Sequence, residues 1–278
     1  MQTDQSQTSP QDLATAEASA PVSSPIRLDV RPATFADIRM SLGDGWRDLR
    51  MRPGLSLFFG LVYALTGAFL ISGLVVFEQL WIVISAAVGF PLVAPFLAAG
   101  LYEMSRRMRR AQSFTAADIF AVIFRQQRRE FGWMSFIVLF VFWIWAYQVR
   151  LILALTLQFK SLGSVEQLVE TLFTTSEGAT FLLVGTIVGA FLATVLFSIT
   201  VIAMPLLLDK NVDFITAIIT SVASVRQSPV VMLGWGAMVG GLTLLAIIPG
   251  LLGVIVILPL LGHTSWHLYE RLVSERTA

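Results

Sequence analysis

The chain has 278 residues, of which 56% are apolar and 13% charged, with a mean hydropathy of +0.76. Soluble domains carry about a quarter charged residues, so a water-soluble globule is excluded and lipid is the solvent for most of this chain. There is no cysteine, which removes disulfides, thiolate metal sites and c-type haem attachment. Formal net charge is +1, and arginine supplies 17 of the 19 basic residues.

Residues 1–30 are expected to form a disordered polar tail ahead of an integral membrane domain over 31–278. The opening MQTDQSQTSPQDLATAEASAPVSSPI holds no basic residue and no apolar core. It lacks both halves of a secretory signal and is too poor in apolar surface to fold.

The segment TFADIRMSLGDGWRDLRMRPG then reads as an amphipathic helix. Thr34 and Asp37 stand at capping-box spacing, and Phe35, Ile38, Leu42, Trp46 and Leu49 form an apolar stripe. Apolar runs of about 20 residues, the length that crosses a membrane, follow at about 55–77 and 80–102. Next comes the arginine cluster Arg106, Arg107, Arg109 and Arg110.

A second amphipathic helix starts with Thr115 and Asp118, again at capping-box spacing. It leads to a span at 132–153. In the following loop, Ser164 and Gln167 open a short surface helix with Val165, Leu168, Val169, Leu172 and Phe173 on one face. Glu166, Glu170 and Glu177 make this the acidic side of the molecule.

A fourth span covers 180–208. Asp213 then caps a third amphipathic helix that presents Ile215, Ile218, Ile219, Val222 and Val225. Spans at 230–247 and 250–269 complete the set, parted at Pro249–Gly250. Pro91, Pro95, Pro205 and Pro259 lie within spans, where they kink or open helices. Trp81, Trp133, Trp235 and Trp266 fall near span ends, as an interfacial belt requires.

The expected fold is therefore all-α: a polytopic membrane bundle of about six transmembrane helices. It divides into three repeats of an interfacial amphipathic helix plus a transmembrane hairpin. With this order, the segments on alternate sides carry seventeen and two basic residues. By the positive-inside rule both termini are then cytoplasmic, in the inner membrane of a bacterium.

Two clusters are candidate sites. Arg106, Arg107, Arg109 and Arg110 anchor topology and are placed to bind anionic lipid headgroups. His263, His267 and Glu270 fall at i, i+4 and i+7 on one helix face, a spacing that suits metal ligands, and Glu103 could approach them. Two histidines on one helix do not suit bis-axial haem. Gly185/Gly189 and Gly236/Gly240 are GxxxG pairs expected to bring helices together within the monomer.

The middles of the spans hold no Asp, Glu, Lys or His, and no Walker lysine, Gly-x-Ser-x-Gly or HExxH motif occurs. Nothing in the chain resembles a nucleic-acid module. The expectation is thus a non-enzymatic protein without a cofactor, a scaffold, assembly or envelope-maintenance factor. It would work through lipid contacts and a possible membrane-protein partner. The alternative is a transporter or channel for a small or lipidic solute, and a third reading is a metal- or haem-binding subunit.

LFFGLVYAL, APFLAAGLYEMSRR, LFTTSEG, PLLLDKNVDFITAIITSVASVRQSP and LPLLGHTSWHLYER, in that order, resemble the bacterial predicted integral membrane proteins grouped as domain of unknown function 2189. The resemblance runs from about Arg31 to the C-terminus. It implies a bacterial cytoplasmic-membrane protein, with no agreed activity and no functional residues to carry over.

Overall fold

The computed structural model describes residues 28–75, 80–126, 130–157 and 165–275, with the side chains of 73–93 and several residues flanking the gaps left aside. In chain order the elements are β1 (Leu28–Val30), α1 (Phe35–Met51), α2 (Pro53–Val75), α3 (Leu80–Arg109), α4 (Ala116–Gln126) and α5 (Glu130–Leu157). Next are α6 (Val165–Thr174), α7 (Ser176–Thr200), α8 (Ala203–Asp209), α9 (Phe214–Gln227), α10 (Pro229–Ile247), α11 (Val254–Leu272) and β2 (Val273–Glu275). A short helix precedes long ones in each third of the chain.

The helix starts follow the local chemistry. Thr34 and Asp37 form a reciprocal capping box at α1, and Thr115 and Asp118 make the same bonds at α4. The Asp213 carboxylate accepts from the Thr216 N–H at α9. These bonds satisfy N–H groups that a helix leaves unpaired. Pro53 and Pro229 begin α2 and α10, where a missing N–H costs nothing.

Among the described residues, four stretches are long and apolar enough to cross a membrane: Pro53–Ser72, Glu130–Thr156, Ser176–Asp209 and Pro229–Ile247. The expected span at 80–102 is the first part of α3, much of whose side-chain detail lies outside the described residues. The expected span at 250–269 becomes α11, which starts later. Residues 248–253 form a tight turn, with Gly250 and Leu251 at φ of 66° and 70°.

Two expectations need correction. Residues 28–30 do not belong to a tail: they pair antiparallel with Val273–Glu275, Leu28 opposite Glu275 and Val30 opposite Val273. The fold is therefore helical with one two-stranded ribbon, and the ribbon places both ends of the described chain on one side of the bundle. Residues 1–27 lie outside the described residues. Nor do Trp235 and Trp266 belong to an interfacial belt. Both are buried in the main core with Met232, Leu268 and Tyr269, because α10 and α11 turn those faces toward their neighbours. Trp133 does lie exposed, stacked on Phe214, and Trp81 is outside the described side chains.

α11 is the central helix, and it packs on α1, α2 and α3. Glycines permit this. A Cβ on Gly45 of α1 would stand 2.5 Å from Thr264 Oγ1 and 2.8 Å from its backbone N, and one on Gly60 of α2 would overlap the Ile255 carbonyl. Close helix approach through small residues suits a lipid setting, where no hydrophobic push between helices operates. The predicted GxxxG pairs serve only in part. Gly236 abuts the Phe197 ring and Gly189 nears Trp145, whereas Gly185 and Gly240 face open space.

Proline shapes the fourth span. Pro205 cannot donate to Val201, and the helix breaks at Val201–Ile202 between α7 and α8. The buried Ile202 N–H, left without a helical acceptor, donates to Ser221 Oγ of α9 at 3.1 Å.

Candidate functional site

The ionisable groups collect at the end of the bundle where α1, α4 and α9 meet the C-terminal ends of α3, α8 and α11. His263 is fully buried one turn before His267 on α11. Its Nε2 lies 3.0 Å from Ser56 Oγ of α2, and its Nδ1 lies 2.7 Å from Ser105 Oγ of α3. A neutral imidazole offers one donor and one acceptor, so one serine donates and the other accepts. Three helices are thereby tied at a single ring.

His267 turns toward α1. Its Nε2 is 2.7 Å from Asp48 Oδ2, and its Nδ1 is 3.7 Å from Glu270 Oε2. Glu270 also stands 3.2 Å from Arg109 Nε. The nearby His267 ring, with Arg109 beside it, holds the Glu270 carboxyl below the usual carboxylate range. Asp44, one turn before Asp48, meets both Arg47 and Arg271. Burial pushes its carboxyl up, but the Arg271 hydrogen bond, with His267 and Arg47 nearby, more than reverses this.

The arginine cluster meets carboxylates of the chain itself. Glu103 is fully buried, and its two oxygens take Arg106 Nε at 2.7 Å and Arg107 Nε at 2.6 Å. Arg110 reaches Asp209 at 2.9 Å, and Asp209 also accepts from the Tyr269 hydroxyl at 3.1 Å. Lys210 bridges to Glu275 at 2.7 Å. A cleft of about 260 Å³ opens between these groups and the ribbon, lined by Arg110, Asp209, Lys210, Tyr269 and Glu275 among others.

His263, His267 and Glu270 do share a face of α11, but they diverge in use. Both His263 nitrogens are engaged by serines, and the His267 Nε2 is engaged by Asp48. No group of three or more His, Asp or Glu among the described residues is disposed to hold a metal ion. Glu103 does not approach the histidines, because two arginines of its own helix claim both its oxygens. The residue of α3 that reaches His263 is Ser105. Asp48, Ser56 and Ser105 escaped sequence reasoning. Their only signal was a small polar side chain in an otherwise apolar or mixed helix, which names no partner.

Each of Arg106, Arg107, Arg109 and Arg110 thus has a carboxylate partner within the chain, with Arg109 and Arg110 still about half exposed. Arg106 and Arg107 neutralise Glu103 within α3, and Arg109 and Arg110 fasten α3 to α11 and α8. The outer helix expected over Ser164–Phe173 appears as α6, with Glu170 and Phe173 exposed, while Ser164 and the side chains of Glu166, Leu168 and Val169 lie outside the described residues.

Long apolar helices and a surface rich in exposed apolar side chains mark a multi-pass helical integral membrane protein. Residues 82–209 match the family described as predicted integral membrane protein, domain of unknown function 2189. No curated protein and no solved structure matches the chain.

Proposed function

We propose that this is a non-enzymatic scaffold, assembly or envelope-maintenance factor of a bacterial inner membrane, acting through protein and lipid contacts. The observation that carries this reading is how the ionisable groups are used. His263, His267 and Asp209 bond to side chains of other helices and fasten α1, α2, α3, α8 and α11 together, while Glu103 is taken up by two arginines of its own helix. Side chains committed in this way build a rigid platform, and a platform serves partners better than it serves chemistry. The excess of arginine on one side supports cytoplasmic chain ends.

Gentle extraction of the tagged protein, followed by mass spectrometry of what accompanies it, tests the proposal. A stoichiometric protein partner, lost when α6 is altered, is the expected result. A solitary protein carrying only lipid or solute would count against the protein-scaffold form.

A second reading, a transporter or channel for a small or lipidic solute, draws on the break at Val201–Ile202. Interrupted helices with side-chain-capped backbone recur where transporters bind cargo. Solute flux in proteoliposomes that stops when Ser221→Ala is introduced would favour it.

A further inference from the structure

We propose that the outward face of α1 is the anionic-lipid-binding surface of this protein, with Arg39 and Arg50 as its headgroup contacts and Phe35 and Trp46 as its anchors. The site is separate from the Arg106–Arg110 cluster, and it holds whether the protein proves to be a scaffold or a transporter.

α1 buries one face and exposes the other. Asp37, Ser41, Gly45 and Asp48, together with Ile38 and Leu49, point into the bundle. At 100° per residue these occupy one arc, and Phe35, Arg39, Trp46 and Arg50 form a single line on the opposite side. Phe35 is 63% and Trp46 46% exposed, and Met40 and Met51 flank them. The helix turns Ile38 and Leu49 inward among small and acidic residues, and keeps an aromatic and basic row outward. Water would penalise such a face, and a membrane interface rewards it.

Charge identifies the ligand. Neither Arg39 nor Arg50 has a carboxylate within ion-pair distance among the described residues, in contrast to the four arginines of α3. Position identifies its source. Arg52 caps α1 and Pro53 opens the apolar span α2 directly, so the end of α1 lies where the hydrocarbon begins. The two arginines stand 11 residues apart, about 16 Å along the helix, far enough to meet separate headgroups. α9, which leads into α10, repeats the pattern more weakly, with Ile215 and Ile219 exposed and Arg226 unpaired among the described residues.

The test uses the full chain in phosphatidylcholine nanodiscs with and without phosphatidylglycerol, and native mass spectrometry to count retained lipid. Arg39→Gln with Arg50→Gln is expected to weaken phosphatidylglycerol retention about fivefold per arginine. Arg109→Gln with Arg110→Gln is expected to leave it unchanged. Undiminished retention in the first variant, or an equal loss in both, overturns the proposal. The absence of cysteine allows an independent measurement. A fluorophore on Trp46→Cys should be quenched by spin-labelled lipid at interfacial depth, and an unquenched, water-exposed label overturns the proposal as well.

Discussion

Two glycines of α1, two residues apart, should respond to alanine with opposite signs. Gly43 faces open space, with nothing within 4 Å of an added Cβ. Replacing glycine by alanine inside an exposed helix stabilises by about 1 kcal/mol through backbone entropy. Gly45 gains the same propensity but meets α11. Its Cβ would lie 2.8 Å from the Thr264 backbone N, so α1 must withdraw by about 0.6 Å to reach an ordinary 3.4 Å contact. Backbone cannot rotate away as a long side chain can. Overpacking of this kind costs about 1–3 kcal/mol. The Asp48–His267 bond, 2.7 Å long and one turn further on, would lengthen toward 3.3 Å if the helix moved as a unit. That exceeds the range of a good charge-assisted bond, worth about 1.5–3 kcal/mol. After the propensity gain, Gly45→Ala should destabilise by roughly 2–4 kcal/mol, while Gly43→Ala should stabilise by roughly 1 kcal/mol. Reversible unfolding of both variants in mixed micelles, against the parent chain, measures the pair. A Gly45→Ala protein as stable as its parent would refute the packing argument, and a destabilised Gly43→Ala protein would refute the exposure argument.

Glu103→Ala leaves Arg106 and Arg107 facing a buried void, and breaking such a pair costs about 3 kcal/mol or more. The same unfolding assay reads that loss, and a neutral result would mean the arginines find other acceptors. Ser221→Ala orphans the buried Ile202 N–H and should cost about 1–3 kcal/mol, with faster hydrogen exchange concentrated at the α7–α8 break. The Arg31 hydrogen bond to Asp37 holds that carboxyl well below its ordinary value of 3.8. A depressed folded pKa contributes stability that is complete above the ordinary value and fades as pH falls through the lower one. The bond from the Arg31 N–H to Leu272 O, which closes the ribbon end, should therefore exchange normally at neutral pH and loosen in strong acid. Asp37→Asn should loosen it at every pH, and an unaltered exchange rate in that variant would dismiss the coupling.

Sequence alone determined everything that depends on neighbours along the chain. Runs of apolar residues marked the spans, and Thr34 with Asp37, Thr115 with Asp118, and Asp213 marked helix starts, because capping bonds close within four residues. Only the tertiary structure decided which face each helix would bury. α1 offers two faces: the apolar stripe Phe35, Ile38, Leu42, Trp46 and Leu49, of which only Ile38 and Leu49 are buried, and the face of Asp37, Gly45 and Asp48. The second won because Gly45 lets the backbones of α1 and α11 approach closely and Asp48 finds His267 there. Contacts between helices likewise set Arg109 against Glu270, Arg110 against Asp209 and His263 against two serines. Partners separated by more than 150 residues, such as Ser105 and His263, leave no local trace. Their pairing is set by the competition among whole helices for the centre of the bundle, where unpaired charge costs most.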